Sequence, residues 1–312
     1  MLTYNGITQN GWLAFELGVL RRLDFKSVAL GFAGEPDLGL YLKRWNVRVA
    51  AADSSQWAWT KATAYIENNT ERLTEDDLEL LLEDAYVPRA KLSNAALGQW
   101  FSEMDAWWFD NVRVNAERLA TPTARALALS LGMMVGDYVL SFDEETRRLR
   151  QPLALADVFR RAWQAQPRLF NNTQRNTSAN MDAHEFIAEQ RTDLLFLRLP
   201  RARGGRPPRR NSVLAWREEW VRGGSDFWDE LERRRAGRLG SYVETRQQYL
   251  QLVEELLRTA AHLPAWAIAY AEDGFVSTQE LVETIGRVRR VENIYTKDFT
   301  ELMGTRAVII TA

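Results

Sequence analysis

KSVALGFAGEPDLGLYLKRWNVRVAAAD, residues 26–53, reads as strand, turn, helix, strand and acid. Residues 26–33 are short and mostly apolar, as a buried strand is, and Gly34 ends them. Pro36 falls at the first turn of a helix, where its missing N–H costs nothing. Leu38, Leu40, Tyr41 and Leu42 carry that helix to about Trp45. Residues 46–52 (NVRVAAA) form a second strand that stops at Asp53, and the next helix is expected over residues 56–69. Such a unit pairs its strands in parallel through a right-handed connection. The chain is therefore expected to be α/β.

Residues 192–210, TDLLFLRLPRARGGRPPRR, add a third strand at Leu194 to Leu197, uniformly apolar as in the middle of a parallel sheet covered on both faces. It runs into a loop holding Arg198, Arg201, Arg203, Arg206, Arg209 and Arg210. Open α/β sheets do their chemistry just past the carboxyl ends of their strands. This loop stands where an active site belongs, yet it holds arginine and no carboxylate.

Between these parts, from about residue 74 to 163, the pattern is helical. Thr74 and Asp77 resemble a capping box, with aspartate for the usual glutamate. Ser93 is expected to cap a helix reaching about Leu119, with Trp100, Met104, Trp107 and Trp108 as an aromatic stripe that reads as core or interface. Thr121 and Pro122 open another helix over residues 123–139. Further on, a short helix is expected over 183–189, loop over 204–225 and a long helix over 241–263. A strand over 266–270 precedes a helix capped by Ser277 and Glu280. Residues 291–295 and 306–311 read as an antiparallel edge pair. Asn171, Asn172, Asn176 and Asn180 fall in a polar loop.

Composition narrows the classes. With 312 residues the chain can bury a full core, and a net charge of −2 confines any anion-binding surface to a local patch. The absence of cysteine excludes disulfides and thiolate metal sites, and two histidines argue against a histidine metal centre. His184 and His262 read as structural. No apolar run approaches the ~20 residues of a membrane helix and no secretory leader is evident, so a cytoplasmic protein without membrane or metal is expected.

Four patches resemble the D12 class of adenine-N6 DNA methyltransferases, the Dam-like enzymes. Tyr4, Asn5 and Gly6 are similar to that family's Y-x-G-G-K, and Phe32, Ala33 and Gly34 to its F-x-G-x-G. Glu67, Asn68 and Asn69 are similar to its E-N-N, and residues 266–277 (WAIAYAEDGFVS) to its late strand and helix. The resemblance implies a Rossmann-like sheet that binds S-adenosylmethionine (residues 1–72 and 166–312), with an all-helical target-recognition-like insertion (73–165). It assigns Phe32, Gly34 and Asp53 to the cofactor, if the cofactor still binds. Asp53 can equally cap the next helix.

The departures are specific. Thr8 stands where the family has its lysine, and Pro36 at the second glycine, where close backbone approach to the cofactor is needed. The family's catalytic D-P-P-Y corresponds to Arg198, Leu199, Pro200 and Arg201, so only Pro200 matches. In the family the aspartate and a proline carbonyl accept hydrogen bonds from the flipped adenine's amine, and the tyrosine stacks on the base. Arginine has five donors and no acceptor, and places positive charge where positive charge develops. No catalytic residue is therefore expected. The six arginines suit phosphate contact, although a solvated or self-paired loop would have the same composition.

Three functions are consistent with these residues. The first is a catalytically inactive, DNA-binding methyltransferase-like protein, a subunit of a restriction, modification or defence complex or the inactive partner of an active methyltransferase. The second is an active, divergent S-adenosylmethionine-dependent adenine-N6 DNA methyltransferase. The third is a structural subunit that uses its tryptophan-rich helices to bind protein, twelve tryptophans being many for this length.

Overall fold

The structure, a computed structural model, describes residues 5–142, 145, 146, 149, 153–166, 169–201, 210 and 212–312, with side chains except at 5–10, 302 and 303. Strands β1 (Ser27–Leu30), β2 (Arg48–Ala52), β3 (Thr177–Ala179), β4 (Leu194–Arg198), β5 (Ala265–Glu272), β6 (Asn293–Phe299) and β7 (Thr305–Thr311) form one sheet. Their order is β3-β2-β1-β4-β5-β7-β6. The first five run parallel, and β7 lies antiparallel between β5 and β6. The chain is thus α/β with a mixed sheet, compatible with a Rossmann-like fold.

β4 shows why the apolar run decides the matter. Leu194 and Phe196 enter the core on one face, with α1 (Asn5–Leu20) and α2 (Asp37–Arg44). Leu195 and Leu197 enter the other, with α8 (Ala183–Glu189), α11 (Arg246–Thr259) and α12 (Thr278–Gly286). A strand covered on both sides has no polar alternation to show. Burial of these four side chains contributes roughly 6–12 kcal/mol before entropy is counted. The antiparallel pairing of β6 and β7 is as expected, but only β6 is an edge, because β7 also pairs with β5 from Ala267 to Glu272.

A third core gathers α3 (Gln56–Ala62), a π-helical turn Thr63–Glu67, α4 (Glu75–Leu82), a 3-10 turn Ala95–Gln99, α5 (Glu103–Ala116), α6 (Pro122–Leu140) and α7 (Leu155–Gln164). These helices lie between β2 and β3 in the chain. Thr74 and Asp77 form the expected capping box. The helix expected to run from a Ser93 cap to Leu119 is two pieces. Asn94 caps the 3-10 turn, and Ser102 restarts the helix by accepting from Asp105 N. This breaks the aromatic stripe: Trp107 and Trp108 are buried, Trp100 lies outside α5, and Met104 is 68% exposed.

The largest correction concerns residues 204–225, expected to be loop. Their second half is a buried helix, α9 (Ala215–Arg222), followed by α10 (Trp228–Arg235). Trp216 and Trp220 of α9 press the outer ends of their rings against Gly136 and Gly132 of α6. A Cβ at Gly132 would stand 2.0 Å from the Trp220 ring, and one at Gly136 would stand 2.2 Å from Trp216. Only glycine admits that approach. α9 therefore ties the helices of 75–164 back to the sheet, and Trp57, Ala58 and Tyr65 share their core.

The polar loop before α8 is also structural. Asn172 donates to Val47 O and Asn176 accepts from Val49 N, both at 2.9 Å, so buried asparagines extend the sheet beyond β2 and lead into β3. Asn180 donates to Asp53 O at 2.9 Å. No helix among the described residues is long and apolar enough to cross a membrane.

Candidate functional site

The carboxyl ends of β1, β2 and β4 meet where the sequence places the site. After β1 the chain turns through Gly34, whose φ of +57° lies in the left-handed region that favours glycine. Gly34 N donates to Asp53 Oδ2 at 2.9 Å, and Ser55 N donates to Asp53 Oδ1 at 2.8 Å. Ala33 N donates to Ala52 O at 3.0 Å. Both oxygens of Asp53 thus take backbone donors, and its side chain is buried. The acid that the resemblance assigns to ribose hydroxyls here stitches the turn after β1 to the turn after β2. Pro36 is the N-cap of α2 and supplies no N–H. Phe32 is buried, and with Leu30, Ala33, Leu38, Phe196 and Arg198 it lines a cavity of about 10 Å³, the room of about one water.

At the end of β4, Arg198 grips Glu16 of α1 with two nitrogens, Nε to Oε1 at 2.7 Å and Nη2 to Oε2 at 2.6 Å. Trp12 Nε1 also donates to Glu16 Oε1, at 2.9 Å. Glu16 is 0% exposed. Burial favours the neutral guanidine, but Glu16 outweighs it and holds Arg198 firmly protonated. This is a bidentate ion pair, charge-assisted and fixed in geometry. Leu199 is buried and its N–H bonds Ala269 O, while Pro200 O accepts from the buried Tyr249 hydroxyl at 2.8 Å.

The structure therefore separates the six arginines. Arg198 is turned inward onto Glu16. Arg201 is exposed, and Arg210 is exposed with Asp229 at 3.5 Å, a surface pair of little energetic weight. Arg203, Arg206 and Arg209 lie outside the described residues, as do Tyr4 and the side chain of Thr8.

Beside the Gly34 turn stands a charged network that the sequence did not reveal. Glu35 binds Lys61 Nζ at 2.8 Å and Arg217 Nη1 at 2.7 Å, and Arg217 Nε binds Asp137 at 2.9 Å. The Arg217 guanidinium lies 4.9 Å over the Trp57 ring. Next to it, Glu218 accepts from Gln56 N at 3.0 Å and Trp57 N at 3.1 Å, satisfying the first donors of α3. Glu219 accepts from Trp100 Nε1 at 2.7 Å and Trp228 Nε1 at 2.8 Å. One helix, α9, thus supplies consecutive charged residues to three separate tasks. Its sequence signals were Trp216 and Trp220 at four-residue spacing, Glu218 and Arg222 likewise, and a left-handed Gly223 after the last turn.

Burial pushes the Glu35 carboxyl up, but Lys61 and Arg217 override it and hold it at about 2, against an ordinary 4.5. A lowered carboxylate stabilises the fold above the unfolded value, and that stability is lost as pH falls from 4.5 through 2. At about 1.4 kcal/mol per pH unit the whole span is worth about 3 kcal/mol. Urea titrations at pH 5 and pH 2.5 should show wild type losing about 2–3 kcal/mol more than Glu35→Gln over that interval. Equal losses in the two proteins would contradict this role for Glu35.

The other residues singled out by the sequence lie away from this network in local settings. Both ring nitrogens of His262 lie 3.0 Å from backbone carbonyls, of Thr259 and Gln190. Burial lowers the pKa of His184. Within the E-N-N patch, Asn68 Oδ1 accepts from Thr70 N and Glu71 N, and Asn68 O and Tyr65 O receive the buried Lys43 Nζ. Among the described residues there is no cluster of three or more His, Asp or Glu side chains that could hold a metal ion. No family model matches the chain, and no curated protein matches it.

Proposed function

We propose that this protein is a methyltransferase-like scaffold that binds DNA without methylating it, as a subunit of a restriction, modification or defence assembly. The observation that carries the reading is the Arg198–Glu16 pair. In the family it resembles, the first residue of the catalytic loop accepts a hydrogen bond from the adenine amine. Here that residue is a donor, and its fork is engaged with a buried carboxylate. The Pro200 carbonyl is engaged with Tyr249. The amine of a flipped adenine would meet positive charge where it needs an acceptor. Beyond Arg198 the chain carries a run of arginines suited to phosphate.

DNA contact is tested by fluorescence anisotropy with duplex and single-stranded DNA over a range of salt. The logarithm of the binding constant should fall linearly with the logarithm of salt concentration. Replacing Arg201, Arg203, Arg206, Arg209 and Arg210 together by alanine should flatten that slope by about 0.9 for each duplex phosphate no longer neutralised. Binding to neither form, or a slope unchanged by the five substitutions, overturns the reading.

A further inference from the structure

A second cationic surface lies at the opposite end of the sheet, where the parallel strands begin. Arg21 and Arg22 come directly after the last turn of α1, and Arg44 ends α2. Each guanidinium lies over an aromatic ring: Arg22 is 5.3 Å from the Tyr295 centroid, Arg21 5.2 Å from Trp45, and Arg44 5.2 Å from Tyr41. Because Arg21 adjoins Arg22 and Arg44 adjoins Trp45 in the chain, the contacts join into one series: Tyr295, Arg22, Arg21, Trp45, Arg44, Tyr41. All three arginines are exposed. Among the described residues, none of the three has a carboxylate oxygen within 4.0 Å.

Nearby cations extend the series. Arg48 begins β2 beside Lys26, and its Nη2 donates to Arg191 O at 3.1 Å. Acids at this end include Asp24, in the turn after α1, Asp193, which accepts from Lys26 N and Ser27 N, and exposed Glu292, just before β6.

Helix C-termini attract cations, and that alone explains one basic residue per helix. It does not explain three arginines in series on ring faces without acidic partners. An exposed guanidinium held over a ring keeps donors free for phosphate. Half-exposed rings between the charges suit base stacking. An anionic membrane is a poorer match, because these rings lie under the guanidiniums instead of protruding as apolar wedges.

We propose that Arg21, Arg22 and Arg44, with Tyr41, Trp45 and Tyr295, form a second nucleic-acid surface, separate from the Arg198–Arg210 loop. This surface and Arg198 stand at opposite ends of strands four to five residues long, about 15 Å apart along the strand direction. One molecule could then hold two segments of nucleic acid at once.

The test uses the full chain, labelled duplex and single-stranded DNA, and anisotropy over a range of salt. Arg21→Ala, Arg22→Ala and Arg44→Ala are combined in wild type and in the five-arginine loop variant, with thermal melts to confirm that each folds. The triple substitution should weaken binding at least tenfold at low salt and reduce the salt slope by about 2–3 in both backgrounds. If only the loop substitutions weaken binding, the second surface falls and the proposed function stands. If only the triple substitution does so, the second surface stands and the loop reading falls. Phosphatidylserine vesicles are a parallel probe: vesicle binding abolished by the triple substitution, with DNA binding unchanged, overturns the nucleic-acid assignment.

Discussion

Arg198→Ala is expected to destabilise the protein by about 3–5 kcal/mol, because it strands the carboxylate of Glu16 in a fully buried position. Trp12 Nε1 would remain as a partner, one neutral donor in place of a bidentate cation. The informative comparison is the double variant Glu16→Leu with Arg198→Leu. Replacing both ions by apolar residues of similar size is often close to neutral, so the double variant should recover most of the loss. Urea denaturation of the wild type, both single variants and the double variant closes the cycle. A single substitution costing under 1 kcal/mol would mean that the pair is not formed as described. The same experiment separates two explanations for arginine at this position. A loop residue selected only to touch DNA could be removed cheaply, whereas one that neutralises Glu16 cannot.

Trp220→Ala should cost about 3–5 kcal/mol through the cavity left in the core of the helical segment. The ring is fully buried, its Nε1 donates to Phe109 O at 2.9 Å, and it covers Gly132 at a distance no other residue allows. Gly132→Ala probes the same packing from the other side. Alanine is the better helix former by about 1 kcal/mol, so a net loss of stability would show that overpacking against Trp220 dominates. Thermal melts read both variants. The consequence reaches the sheet, because the helix carrying Trp220 also supplies Arg217 to Glu35 and Glu218 to the start of α3. Loosening it should loosen the turn beside Gly34.

The middle of the sheet was legible because its central strands are buried on both faces. Residues 26–53 and 194–197 announced themselves as apolar runs punctuated by Gly34, Pro36 and Asp53, and the capping boxes at Thr74 and Ser277 fixed two helix starts. Strand β3 (Thr177, Ser178, Ala179) was not legible, since it is short and not buried and is approached through asparagine side chains. The α9 helix was hidden by the Gly, Pro and Arg before it, and its buried charges look like a surface pattern until Glu35, Asp137 and the α3 N-terminus are known to face them. The strands whose ends frame the candidate site were evident from their apolar runs, but the side-chain partners there were not. Nothing near Arg198 in the chain points to Glu16, 182 residues away.

Whether the strand-end site still takes S-adenosylmethionine separates the proposed inactive scaffold from an active methyltransferase. Asp53 accepts from two backbone donors, Pro36 supplies no N–H at the start of α2, and the pocket lined by Phe32 and Arg198 has room for about one water. Calorimetric titration with S-adenosylmethionine, paired with thermal melts, measures this directly. We expect no heat of binding and no stabilisation at millimolar ligand. A ligand present at 100 times its dissociation constant would stabilise the fold by about 2.7 kcal/mol. A saturable heat with a matching rise in melting temperature would contradict the inactive scaffold and restore the case for an active methyltransferase.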